Sequence, residues 1–101
     1  MVKHIVMWRL KAGPGGIGKA DAAREVKERL ETLPQNVPGI LQLEVGVHLG
    51  PDTDGTSDLV LTTAFRDRAA LRAYDVHPEH EKVKPFVKER TVERRCVDYE
   101  I

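Results

Sequence analysis

Two histidines that flank a proline are the residues of this sequence best suited to chemistry. The segment HPEHE at residues 77–81 places His77 and His80 three positions apart, with Pro78 directly after the first. Histidine changes charge near neutral pH, so it can act as a general acid or base, or bind a metal. Three roles are therefore open for this segment: a metal site, acid/base catalysis, or the start of a helix.

The metal role requires ligands that the sequence does not supply. His77, His80 and Glu81 can share an ion in principle, but no HExxH or cysteine-rich pattern accompanies them. We therefore expect no specific metal site and no cofactor.

The acid/base role is compatible with a helix start. Proline suits the first position of a helix, which makes His77 the N-cap and places His80 in the first turn. The positive end of the helix dipole disfavours imidazolium and favours the neutral His80 ring that a general base requires, whereas the neighbouring Glu79 and Glu81 favour the charged ring. Tyr74, one turn upstream, supplies a phenol that can orient a carbonyl or stabilise an enolate. The alternative is that His77 caps the helix, His80 hydrogen-bonds locally and Tyr74 belongs to the core.

Hydrophobic periods divide the chain into six elements that would position these side chains. The expected elements are a strand at 3–10, a helix at 19–33, strands at 40–49 and 59–65, a helical region at 68–89 that pauses at His77, and a strand at 91–101. The order β-α-β-β-α-β predicts an α+β, ferredoxin-like protomer with a four-stranded antiparallel sheet and both helices on one side. The length predicts a single domain over residues 1–101.

The first strand carries apolar residues on both of its faces. His4, Val6 and Trp8 alternate with Ile5 and Met7. If the first set faces the helices, His4, Tyr74 and His80 converge on a pocket whose wall includes Val6 and Trp8. We expect the second strand to be apolar on both sides as well. Two helices cover only one face of a sheet, so the uncovered face predicts a homodimer.

Several classes of partner and motif are disfavoured. The 16 basic and 16 acidic side chains cancel, so nothing favours nucleic acid or a membrane surface as partner. Cys96 is the only cysteine, and the first apolar run is too short for a signal peptide; both are consistent with a cytoplasmic protein. The loop GPGGIGKA resembles a phosphate-binding loop, but Ala20 stands where serine or threonine must hold magnesium.

Three segments together resemble the stress-responsive A/B barrel (Dabb) family of dimeric α+β barrel proteins: VKHIVMWRLK, YDVHPEHEKV and VDYE. The resemblance covers essentially the whole chain and implies a ferredoxin-like protomer in a homodimeric barrel. The family includes olivetolic acid cyclase, a polyketide cyclase with a Y-x-x-H-P-x-H segment. By that resemblance His80 would abstract an α-proton, Tyr74 would hydrogen-bond the thioester oxygen, and His4 would be a pocket histidine.

The sequence leaves two functions open. One is a cofactor-independent acid/base enzyme, a lyase similar to polyketide cyclases, which performs aldol-type cyclisation or proton transfer on a small carbonyl or polyketide-like substrate. The other is a non-catalytic, stress-related dimer that is structural or binds a small molecule. A ligand-sized cavity lined by His80 and Tyr74 favours the enzyme. A filled interior, with His80 bonded to backbone, favours the second function.

Overall fold

The computed structural model describes residues 1–101 and contains four strands and four helices. In chain order they are β1 (Val2–Leu10), α1 (Lys19–Leu30), α2 (Leu33–Asn36), β2 (Gln42–Val47), β3 (Leu59–Phe65), α3 (Arg68–Asp75), α4 (Pro78–Glu89) and β4 (Thr91–Glu100). A short 3-10 turn at Pro14–Gly16 precedes α1. None of the helices is both long and apolar enough to span a membrane.

The four strands form one antiparallel sheet in the order β2-β3-β1-β4. The central strand β1 pairs with β3 on one side and with β4 on the other. This is the ferredoxin-like arrangement predicted from the order of elements. The register places the chain's first strand directly beside its last, so residues about 90 positions apart in sequence become neighbours.

Two elements have bounds that differ by more than one residue from those predicted by the hydrophobic period. The first helix ends at Leu30 instead of 33, and Pro34 lies in the first turn of the separate, one-turn α2. Proline tolerates the start of a helix because the N–H that it lacks has no helical partner there. The second strand is also shorter than expected and spans only Gln42–Val47.

The core lies between the helices and one face of the sheet. Even-numbered residues of β1 are buried there, with Val6 1% and Trp8 6% exposed. They pack with buried apolar side chains of the helices and of β3, which include Val26, Leu30, Leu59, Leu61, Phe65 and Tyr74. Burying a side chain of this size contributes about 1.5–3 kcal/mol. Packing of this face therefore fixes which side chains of β1 point towards α3 and α4.

The opposite face of the sheet, here called the open face, has no helix over it. Its apolar residues come from three strands: Ile5 and Met7 of β1, Val60 of β3, and Val97 and Tyr99 of β4. Met7, Val97 and Tyr99 are exposed. The β2 strand does not extend this apolar surface, because Gln42, Glu44 and Gly46 occupy its open side. The expectation that the second strand is apolar on both faces is therefore wrong.

The segment that resembles a phosphate-binding loop joins α1 to the sheet. Lys19, the lysine of the phosphate-loop pattern, forms an ion pair with Asp58 at 3.1 Å. The same carboxylate accepts a hydrogen bond from the backbone N–H of Leu10 at 2.8 Å. The lysine therefore fastens α1 to the end of β1, and a wholly antiparallel sheet is not the sheet that surrounds a nucleotide-binding loop.

Candidate active site

The site begins with the break between α3 and α4. Asp67 caps α3 by accepting a hydrogen bond from the Ala70 N–H at 2.9 Å. The helix ends at Asp75, and His77 is extended, with φ −63° and ψ 136°, because the following proline disfavours helical geometry at that position. His77 then caps α4: its Nδ1 accepts a hydrogen bond from the Glu79 N–H at 3.1 Å. The break allows the start of α4 to turn back over the end of α3.

His80 bonds to the backbone that the break exposes. Its Nδ1 lies 3.1 Å from the carbonyl oxygen of Tyr74 and 3.2 Å from that of Asp75. A carbonyl oxygen only accepts hydrogen bonds, so these partners assign the ring hydrogen to Nδ1. In the neutral ring, Nε2 then carries the lone pair, and it makes no hydrogen bond within the protein. His80 is therefore held in the tautomer that leaves Nε2 available as a base.

The electrostatic surroundings of His80 favour the neutral ring. Burial lowers the pKa of His80 below its ordinary value, and the positive charge of Lys84 lowers it further. The two backbone carbonyls and the Asp75 carboxylate oppose this shift. At neutral pH the side chain is therefore mostly uncharged, which is the state that accepts a proton.

Tyr74 is buried at the centre of an aromatic cluster. Its ring stacks on His80 with centroids 4.1 Å apart, contacts Phe65 at 5.1 Å, and meets His4 edge-on at 6.1 Å. The residue is 1% exposed, yet its hydroxyl has no hydrogen-bond partner in the protein, and it is the only buried side-chain polar atom of which this is true. Burial and the charge of Asp75 raise the pKa of Tyr74, so the phenol stays protonated and is available to donate a hydrogen bond.

His4 reaches the cluster from β1. It is 9% exposed, and its Nδ1 contacts the carboxylate of Asp98, the residue directly opposite it on β4. The thiol of Cys96, on the same face of β4, lies 3.7 Å from the same nitrogen. Neither a role for Cys96 nor a site position for Asp98 was predicted from the sequence. Their two-residue spacing indicates a shared strand face, but only the register shows that this face lies opposite His4.

A cleft of about 550 Å³ opens between the helices and the sheet. Its apolar wall consists of Val6, Trp8, Leu30, Leu61, Val83, Val87 and Val92. The three ring residues His4, Tyr74 and His80 also line it, whereas His77 does not. Each predicted site residue is thus placed: His4, Tyr74, His80, Val6 and Trp8 meet at the cleft, and His77 caps α4 outside it.

Charged side chains surround the cleft unevenly. Lys84 is neutralised by Asp75 at 3.3 Å and Glu81 at 2.7 Å, and Glu93 pairs with Arg95. The remaining lining cations, Lys88 and Arg94, have no ion-pair partner in the structure. The cleft therefore combines an apolar wall with unpaired positive charge.

The sheet order and the cleft between helices and sheet define a ferredoxin-like α+β protein. Within this class, the model of the Stress Responsive A/B Barrel Domain family matches residues 2–101. The chain belongs to that family, as its three sequence segments indicated. No curated protein matches the chain.

Solved structures share the fold over nearly the whole chain. A dimeric protein of unknown function with a ferredoxin-like fold, from Bacteroides fragilis NCTC 9343, is 32% identical with a TM-score of 0.84. The match covers 99% of this chain and 95% of that one. The hydroxynitrile lyase from Passiflora edulis is 19% identical, with a TM-score of 0.80 and coverage of 99% and 92%. SnoaB, a cofactor-independent oxygenase from Streptomyces nogalater, is 12% identical, with a TM-score of 0.71 and coverage of 99% and 91%.

The pKa of His80 can be measured directly by NMR titration of its ring protons. We expect a value below the ordinary value of about 6.5 because burial disfavours the imidazolium. In the unfolded chain the pKa returns to about 6.5, so between the two values the unfolded state binds more protons. The part of the free energy of unfolding that depends on His80 is therefore fully present above about pH 6.5. It is lost as the pH falls through the folded-state pKa of His80.

Substitution of Lys84 tests the origin of this shift. Lys84→Gln should raise the pKa of His80, because it removes a nearby positive charge and releases the Asp75 carboxylate. Lys82→Gln, which removes a lysine that pairs with Glu79 on the same helix, is the matched control and should leave the pKa unchanged. A His80 pKa at or above 6.5 in the native chain would contradict the neutral assignment.

Replacement of Tyr74 by phenylalanine separates packing from the hydroxyl. Tyr74→Phe keeps the contacts of the ring and removes a buried donor that lacks a partner. We therefore expect the free energy of unfolding, measured in urea, to stay the same or to rise by about 1 kcal/mol. A loss of stability of about 1 kcal/mol or more in Tyr74→Phe would mean that the hydroxyl has a partner.

Proposed function

We propose that the protein is a cofactor-independent acid/base enzyme that acts on a small carbonyl compound, with His80 as base and Tyr74 as hydrogen-bond donor. Two features of one residue pair carry this proposal. The hydroxyl of Tyr74 is buried and has no partner, and the ring of Tyr74 stacks on a neutral histidine, His80, whose Nε2 is free. A buried donor without a partner costs free energy, about 1–3 kcal/mol, which a carbonyl oxygen of a bound substrate would recover. Such a pair suits a reaction that removes a proton next to a carbonyl group.

In the proposed reaction, Nε2 of His80 takes the proton from the carbon beside the substrate carbonyl. The electron pair of the broken C–H bond moves towards the carbonyl oxygen, and Tyr74 donates a hydrogen bond to the resulting enolate. The enolate then either regains a proton at another position or attacks a second carbonyl carbon in an aldol-type ring closure. The imidazolium of His80 returns the proton, so acid/base groups alone suffice.

His4 acts in this proposal through Tyr74. Its ring meets the tyrosine edge-on, and Asp98 holds its Nδ1 in place, so the pair limits movement of the phenol. We therefore assign His4 a positioning role, and Val6 and Trp8 the apolar wall against which the substrate packs. The cleft volume of about 550 Å³ lies within the range typical of small-molecule sites.

The similar structures support catalysis within this fold. One is a hydroxynitrile lyase and another is a cofactor-independent oxygenase, so the ferredoxin-like frame accommodates enzymes. The resemblance to olivetolic acid cyclase also supports an aldol-type reaction. It rests on the Y-x-x-H-P-x-H segment, which is formed here by Tyr74, His77, Pro78 and His80.

A second candidate function is a stress-related dimer that is structural or binds a small molecule without turning it over. The bonds from His80 Nδ1 to two backbone carbonyls favour it, because they also stabilise the helix break. This function needs the cleft but not the lone pair of Nε2. The two candidate functions therefore predict different results when His80 is replaced: loss of turnover for the enzyme, and no effect on turnover for the binding protein.

Turnover should be assayed with a panel of β-keto thioesters and related ring-closing substrates, and α-proton exchange should be followed in deuterated water. We expect His80→Ala to lower the rate by about 10²–10⁴-fold, the contribution typical of a general base. Tyr74→Phe should lower the rate while preserving the fold. His77→Asn is the matched control: asparagine retains a helix cap, and His77 does not line the cleft, so activity should persist. Equal rates in the wild type and both site variants would exclude the catalytic assignment.

We also propose that the chain forms a homodimer through the open face. The apolar side chains of Ile5, Met7, Val60 and Val97 lie together on that face and are partly or largely exposed. Packing two such faces would bury them, in the manner of two stacked sheets. The Bacteroides fragilis protein, 32% identical, is dimeric, which supports this arrangement.

Gel filtration at micromolar concentration checks the dimer. The wild type should elute as a dimer, and Val97→Glu should elute as a monomer because it places a charge in the apolar interface. Val76→Glu is the control, since Val76 is 69% exposed in the helix layer and away from the open face. A monomeric wild type, or a Val97→Glu variant that stays dimeric, would contradict the proposal.

A further inference from the structure

Three side chains that differ in chemistry meet at the β1–β4 pairing, on the helix side of the sheet. They are the imidazole of His4, the thiol of Cys96 and the carboxylate of Asp98. The register explains their proximity: His4 lies opposite Asp98, and Cys96 lies opposite Val6, two residues further along the same face. Cys96 takes no part in the proposed reaction, so its position remains to be explained.

The distances among the donor atoms suit one metal ion. Cys96 Sγ lies 3.7 Å from His4 Nδ1 and 3.7 Å from Asp98 Oδ1, and the latter two atoms are in contact. A tetrahedral zinc ion with bonds of about 2.3 Å to sulfur and about 2.0–2.2 Å to nitrogen or oxygen has ligands about 3.4–3.6 Å apart. Both sulfur distances are close to that value. Only the His4–Asp98 contact must open, which occurs when the ion replaces the proton between them.

The position of the cluster also suits an ion with one open coordination position. His4 is buried and fixes one ligand, whereas Cys96 and Asp98 are exposed, so water reaches the fourth position. A metal ion displaces the thiol proton when it binds, so Cys96 and Asp98 would supply two anionic donors to the bound ion. Such a donor pair suits a divalent cation.

We propose that His4, Cys96 and Asp98 bind a divalent transition-metal ion of the zinc class, with water as the fourth ligand. A nitrogen, a sulfur and an oxygen donor together select zinc or cobalt over magnesium and calcium, which prefer oxygen alone. A second histidine–carboxylate pair, His48 with Asp52 at 3.6 Å, has no third donor and provides an internal comparison. The proposed metal site is independent of the proposed catalytic function of the cleft.

Titration of the full chain with Co²⁺, in a reductant that does not chelate metals, tests the site. We expect a thiolate-to-cobalt charge-transfer band that saturates at one ion per chain and disappears when Zn²⁺ is added. Because Cys96 is the only cysteine, this band can come from no other residue. Absence of the band, or saturation at one ion per two chains, would overturn the three-ligand site within a single chain.

Variants separate the proposed ligands from nonspecific binding. Cys96→Ser should abolish the band, and Asp98→Asn should weaken cobalt binding by at least about 10-fold. Asp52→Asn is the control and should bind as tightly as the wild type. As a second measurement, Zn²⁺ should raise the midpoint of thermal unfolding of the wild type and of Asp52→Asn, but not of Cys96→Ser. Unchanged affinity in Asp98→Asn would remove that residue from the site and contradict the proposal.

Discussion

The candidate site depends on one constraint, which is that Pro78 cannot continue α3. Its ring forces His77 into an extended conformation and ends the helix at Asp75. Because Pro78 has no N–H, the carbonyl of Tyr74 accepts one backbone N–H, that of His77 at 3.1 Å, and the carbonyl of Asp75 has no backbone N–H partner. His80, in the first turn of α4, donates to both carbonyls through Nδ1. The same backbone break therefore creates the hydrogen-bond acceptors and delivers the side chain that uses them.

Tyr74 makes two opposing contributions to the stability of the fold. Stacking on His80 and contact with Phe65 stabilise the ring of Tyr74, while its unpartnered hydroxyl destabilises the fold. Aromatic packing and burial must therefore outweigh the unmet hydrogen bond. In the proposed function this hydroxyl contributes to binding a substrate and not to folding, as is common where function conflicts with stability.

Sequence patterns predicted what depends on local chemistry. The alternation of His4, Val6 and Trp8 predicted the buried face of β1, and the proline predicted the break between α3 and α4. Patterns did not predict that Cys96 and Asp98 lie beside His4, because this depends on the pairing of strands that are far apart in sequence. They also failed at Pro34, where the same residue type that ends one helix begins another turn. The direction of His80 towards the carbonyls of α3 required the angle between two helices, which no spacing in the sequence encodes.

The alternation of β1 has a further consequence for how this protein can evolve. Side chains that face the cleft and side chains that occupy the open face come from successive residues of one strand, and only the thickness of the backbone separates them. A substitution that reshapes one surface shifts the backbone that carries the other. If the proposed cleft and the proposed dimer are both used, changes in ligand preference and changes in self-association are therefore mechanically linked, and lineages of this fold are expected to alter the two together.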